Sequence, residues 1–180
     1  MNSNHGDSEM SKKSNSFELW DFSIAAYGKR GIESVCLKLQ QEFNADINVL
    51  LYLLWLSTFK RQLKSDQILG VINVTKFWQS QVVQPIRETR KILKKTPVLS
   101  DNAYKEETYS DLLELELIAE KLAQKQLFGD GITRHIGDLA STKECAARTN
   151  LKNYIEILNG TINISDFDKL CSVVTQDYTI

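Results

Sequence analysis

Two arginines three residues apart follow a proline in Pro85-Ile86-Arg87-Glu88-Thr89-Arg90. On a helix, residues at that spacing share a face, so Arg87 and Arg90 can act together on one carboxylate or one anion. Arginine suits the task because its planar guanidinium donates parallel hydrogen bonds where lysine offers a point charge. A second polar pair, Asp46 and Asn48, stands at the head of the most apolar run of the chain, Ile47 to Leu56. Asp46 reads as a helix N-cap, and Asn48 falls in the first turn, where burial without a partner is costly. Three arrangements are open to the pair. Asn48 helps Asp46 satisfy the free N–H groups of the helix start, or the two form a polar floor for a ligand, or they join Arg87 and Arg90 in a buried network. Asp46, Asn48, Arg87 and Arg90 are the candidate ligand-binding residues.

No catalytic residue, metal or cofactor is expected. Glycine-rich phosphate loops, the nucleophile-elbow serine, the paired-histidine zinc pattern and the calcium loop are all missing. His5 and His135 are the only histidines, and neither has a partner at motif spacing. Cys36, Cys145 and Cys171 are odd in number, far apart and without a CxxC pair. They read as reduced thiols, buried for Cys36 and Cys171, whose neighbours are apolar. Residues 1–15 carry only Met1 and Met10 as apolar residues and read as a disordered tail without a secretory signal. Together these features place the protein in the cytoplasm.

Charge is balanced over the whole chain, at a formal −1, which argues against holding nucleic acid by bulk electrostatics. It is segregated locally. Residues 84–95 carry five basic residues against Glu88, a net of +4, and residues 101–120 carry seven acids against Lys105, a net of −6. Either the blocks complement each other across a helical hairpin, or one of them recognises a partner or an anionic ligand.

The elements that position these groups are helical. Eight glycines and two prolines in 180 residues leave few stops, and no period-2 run is long enough for a strand. Asn15 caps a first helix whose face is Phe17, Trp20, Ile24 and Tyr27, ending at Gly28. Ile32, Val35, Cys36, Leu39 and Phe43 mark a second helix, with Asn44 at its left-handed end. The apolar run makes a central helix over about 47–59, too short to span a membrane and apolar on nearly every side, so other helices must wrap it. The next helix opens at Lys64-Ser65-Asp66, and Pro85 kinks or breaks it near residues 81–85. Pro97 ends it. A long helix over 103–127 is expected to bury Tyr104, Leu112, Leu115, Ala119 and Leu122. Further helices follow at about 142–158 and from Ser165, which reads as a cap with Asp168 completing its box. The expected fold is all-α: a single domain over 16–176, six to eight helices around the central one, and no sheet.

Several of these motifs together resemble an uncharacterised bacterial family, domain of unknown function 2390. The resemblance rests on Leu19-Trp20-Asp21-Phe22-Ser23, Cys36-Leu37-x-Leu39-Gln40, Ala45-Asp46-Ile47-Asn48-Val49-Leu50-Leu51, and Trp78-x3-Val82-Val83-x-Pro85-Ile86-Arg87-x2-Arg90. Weaker echoes are Glu114-Leu115-Glu116, Glu120-Lys121-Leu122 and Asn150-Leu151-x2-Tyr154. It implies a small helical cytosolic protein and no particular activity. The function expected from the residues is that of a non-enzymatic helical interaction protein with a protein partner. The alternative is a small-molecule or anion-binding protein, with enzymatic activity open to it, using Arg87 and Arg90 with Asp46 and Asn48. A membrane is excluded as a partner and nucleic acid is disfavoured.

Overall fold

The computed structural model describes residues 17–97 and 102–175. The proposed tail, its Asn15 cap and most of the loop before the long helix lie outside these residues. Eight α-helical segments are seen among the described residues: α1 (Glu18–Tyr27), α2 (Ile32–Phe43), α3 (Ile47–Thr58), α4 (Ser65–Trp78), α5 (Gln84–Lys95), α6 (Asn102–Phe128), α7 (Lys143–Ile157) and α8 (Ile164–Ser172). The expected all-α bundle is the observed one, with a single small departure. Arg61–Gln62 (β1) pairs antiparallel with Asp138–Leu139 (β2), so the fold includes a two-residue ribbon where no sheet was expected. Gly137 makes that pairing possible. It has φ +78°, and a Cβ there would lie 2.5 Å from the Gln62 carbonyl oxygen.

Every residue of α3 from Asn48 to Ser57 is buried. A helix with ten apolar residues in the thirteen from Ile47 to Phe59 has no face to offer water. It is enclosed by α1, α6, α7 and the C-terminal 3₁₀ turn Val173–Thr175. Trp55 lies at its centre, with ring centroids 5.2 Å from Phe59 and 5.7 Å from Phe128. Both ends are clamped by α7 through residues four apart. The Tyr154 hydroxyl accepts from Asp46 N at 2.9 Å and donates to Asp46 O at 3.0 Å. Asn150, fully buried, accepts from Leu63 N at 2.7 Å and donates to Ser57 Oγ at 3.0 Å and Arg61 O at 2.9 Å. The backbone that would otherwise be left without partners as it enters and leaves α3 is thus satisfied.

Local signals explain most boundaries. Asn44 takes the left-handed conformation after α2 (φ 52°), and Asp46 caps α3 by accepting from Asn48 N at 2.9 Å. Cys36 and Cys171 are buried, and burial pushes their thiols up to about 12 and about 11, far from the thiolate form. Helix α8 is capped by Asn163 rather than Ser165, since Asn163 Oδ1 accepts from Asp166 N at 2.9 Å.

Two faces differ from expectation. Helix α1 buries Leu19, Phe22, Ser23 and Ala26, while Ile24 of the expected stripe is about half exposed and Trp20 only partly covered. Helix α6 buries Glu116, Ala119, Ala123, Gln124 and Leu127, and leaves Tyr104, Leu115 and Leu122 exposed. In α6 the larger apolar side chains lost to a face of smaller ones, and in α1 Trp20 and Ile24 lost to Leu19, Phe22 and Ala26. The small face of α6 allows close approach to α3 and also carries polar groups with partners waiting inside. Leu54→Ala, at the fully buried centre of α3, is expected to destabilise the fold by about 2–5 kcal/mol, read as a lowered denaturant midpoint.

Candidate functional site

Pro85 has no N–H, and its ring opposes the carbonyl of the residue four before it. The chain answers with a π-helical turn over Gln79–Val83, so α4 and α5 run on through a widened turn rather than a break. One inserted residue advances everything after it by about 100° around the axis. Beyond this turn Arg87 and Arg90 face α6.

Arg87 is buried, its side chain only 8% exposed, and Arg90 is 18% exposed. Both donate to one carboxylate: Arg87 Nε to Glu116 Oε1 at 2.8 Å, and Arg90 Nε to Glu116 Oε2 at 2.6 Å. Arg87 Nη2 donates also to Glu120 Oε1, one turn along α6. The other Glu120 oxygen accepts from Asn48 Nδ2, and Asn48 Oδ1 accepts from Gln124 Nε2 at 3.1 Å. Asp46 joins through Asn48, whose backbone N–H donates to Asp46 Oδ1 at 2.9 Å, while Asp46 Oδ2 accepts from Thr75 Oγ1 at 2.9 Å. At the outer end, Arg90 Nη1 donates to the Tyr109 hydroxyl at 3.2 Å, with its guanidinium 5.7 Å from that ring's centroid.

The four candidate residues therefore lie in one connected network, but only Asp46 and Asn48 bond directly, the rest meeting through glutamates. Arg87 and Asn48 share Glu120, while Arg90 reaches the cluster through Glu116. Glu114, a conceivable internal partner of the arginines, carries no ion pair among the described residues. Glu116, Glu120 and Gln124 do the joining. Their spacing of four in the sequence was the available signal, obscured by the leucines interleaved with them. Thr75, Tyr109 and Tyr154 had no such signal.

Three carboxylates face two guanidiniums, one formal negative charge in excess. Burial pushes the Asp46 carboxyl up, against hydrogen bonds from Thr75 and Asn48. Burial likewise pushes Glu120 up against the pull of Arg87 and Asn48, and the charges of Asp46 and Glu116 add to the rise. At Glu116 burial acts in the same direction, but the hydrogen bonds from Arg90 and Arg87 outweigh it and hold the carboxyl below its usual range. The shifts are thus opposed within one network: upward at Asp46 and Glu120, downward at Glu116 between the arginines. Among the described residues no group of acidic, histidine or cysteine side chains could hold a metal ion. His135 is exposed in the 3₁₀ turn after α6.

The charge blocks complement each other only in part. Glu116 and Glu120 take Arg87 and Arg90, Lys91 pairs with Glu88 within α5, and Lys94 lies over Tyr109. Glu106, Glu107, Asp111 and Glu114 remain exposed and carry no ion pair among the described residues.

A family model described as a protein of unknown function (DUF2390) matches residues 18–127. That span runs from the start of α1 to the end of α6 and holds the whole network except Tyr154. No curated protein and no solved structure gives a significant match. Among the described residues no helix is long and apolar enough to cross a membrane.

The opposed shifts at Glu116 and Glu120 give a pH test. Glu116, held below its unfolded value, contributes stability that is full above about pH 4.3 and is lost as pH falls through its folded value. Glu120, held above its unfolded value, contributes most when protonated and loses that contribution as pH rises from about 4.3 to its folded value. In urea denaturation from acid to neutral pH, the deficit of Glu116→Gln relative to the natural chain is expected to grow with pH. That of Glu120→Gln is expected to shrink.

Proposed function

Because the chain belongs to the DUF2390 family, whose description assigns no activity, we propose from its own geometry that it is a non-catalytic helical interaction protein. Its contact surface is the outward face of α6. The observation that carries this is the stripe Leu115, Ile118 and Leu122, each about half exposed at 49%, 49% and 47%, at the spacing by which helices recognise helices. Scattered exposed leucines are ordinary, but three in line on one helix, beside unpaired acids, make a patch of the kind that binds. The acids Glu107, Asp111 and Glu114 lie along the same face and favour a partner segment that carries basic side chains.

The anion-binding alternative is supported by the meeting of Asp46, Asn48, Arg87 and Arg90 in one network. It is the weaker reading, because both guanidiniums already face carboxylates of their own chain, and a ligand anion would have to displace Glu116 or Glu120. The cytoplasm, proposed from the reduced cysteines, is the setting that this function suits.

A photoreactive benzophenone side chain at position 118 is expected to yield cross-linked adducts in cells making the full chain. The same group at Lys152, exposed on α7, is expected to yield none. Equal yields at the two positions, or adducts from neither, would contradict the proposal.

A further inference from the structure

Helix α6 carries a charge pattern along its exposed stripe that is complementary to itself. The seam positions alternate by four and three residues: Tyr104, Thr108, Asp111, Leu115, Ile118 and Leu122. That is the repeat of a helix pairing with another helix. All six are exposed. One edge of the seam is marked every seven residues by Glu107, Glu114 and Lys121, so its charge changes sign on passing Ile118. The acids of this edge have no ion pair among the described residues. Lys121 is half-buried and lies over the Trp20 ring, 5.5 Å from its centroid, which holds its ammonium at this edge.

In a parallel pair of this sequence this edge would face the opposite edge of the seam, so Glu114 would meet Ala119 and Lys121 would meet Gln126, with no opposite charge for either. In an antiparallel pair the edge faces its own copy. A two-fold axis close to Ile118 brings Leu115 of one copy to the Ile118–Leu122 turn of the other. The same axis sets Glu114 opposite Lys121, twice by symmetry. Trp78 Nε1 donates to Ala119 O at 2.9 Å, which seats the end of α4 beside the middle of α6.

Resting on the proposal that this face is the contact surface, we propose that its occupant is a second copy of this chain, paired antiparallel through α6 as a two-fold dimer. The self-complementarity is what a closed isologous interface requires, because each surface must fit its own copy. The patch is small against the roughly 800 Å² that each partner contributes to a standard interface, so the dimer is reversible and concentration-dependent.

Sedimentation velocity of the purified full chain, up to about 100 μM, tests this within the range of weak dimers. The expected result is a monomer–dimer equilibrium that Ile118→Asp abolishes without lowering the melting temperature. Glu114→Lys alone and Lys121→Glu alone are each expected to weaken association about tenfold, and the double reversal to restore it to within about threefold. The rescue separates pairing from any harm that Lys121→Glu does to its Trp20 contact. A chain that is monomeric throughout overturns the proposal. So does a dimer indifferent to Ile118→Asp or to both reversals, and so does a monomer that dimerises only after residues 1–15 are removed. A monomer that still gives heterologous adducts from position 118 would end self-pairing while leaving the contact surface standing. Loss of both would end the two together.

Discussion

Two arginines drawn largely out of solvent, Arg87 almost wholly and Arg90 for the most part, must have their charge met by the protein. Glu116 and Glu120 are the groups that meet it, and the requirement fixes more than the ion pairs themselves. With Glu116, Glu120 and Gln124 turned inward at four-residue spacing, the rotation of α6 about its axis is no longer free. Leu115, Ile118 and Leu122 then have only one place to go, which is the outside. The apolar surface of α6 follows from the polar contents of the core.

Such a network is not to be counted as a large net stabiliser. Taking two guanidiniums and three carboxylates out of water costs several kcal/mol per ion, and their attraction offsets this only with good geometry. Its effect is on the choice among packings. A helix with leucines on several faces, Leu113 and Leu117 as well as Leu115 and Leu122, could turn more than one of them to a generic apolar core. Here Arg87, one turn beyond the π-helical segment, and Asn48, in the first turn of α3, present donors that only the glutamate face can satisfy. Tyr154 and Asn150 of α7 hold the two ends of α3 in the same manner, so the central helix is registered by polar contacts at its termini and by bulk burial between them.

The parts of this fold legible in the sequence were those set by local chemistry. The central helix could be read because apolar residues on every side exclude any other placement than the interior. The Asp46 cap, the left-handed Asn44 and the disturbance before Pro85 each follow from one residue and its neighbours. What could not be read was which face of α6 is buried. The residues that decide it lie 26 to 76 positions away along the chain, from Arg90 with Glu116 to Asn48 with Gln124. Periodicity alone favours the leucines and loses to those contacts. The same limit applied to α1, where Leu19, Phe22 and Ala26 replaced the bulkier stripe because they fit against α3. The ribbon of β1 and β2 left no signal, being two residues long on each side.

Coupling between Arg87 and Glu116 is the most direct measure of whether buried charge sets the orientation of α6. Arg87→Met and Glu116→Met, singly and together, form a double-mutant cycle read by urea denaturation. Each single change removes one member of a buried, shared ion-pair network and is expected to cost about 3–5 kcal/mol. The double change is expected to cost less than the sum of the two, by a coupling of about 2–3 kcal/mol, the upper part of the range seen for residues in one network. Additive losses would mean that the two side chains do not depend on each other, and that α6 is oriented by something else.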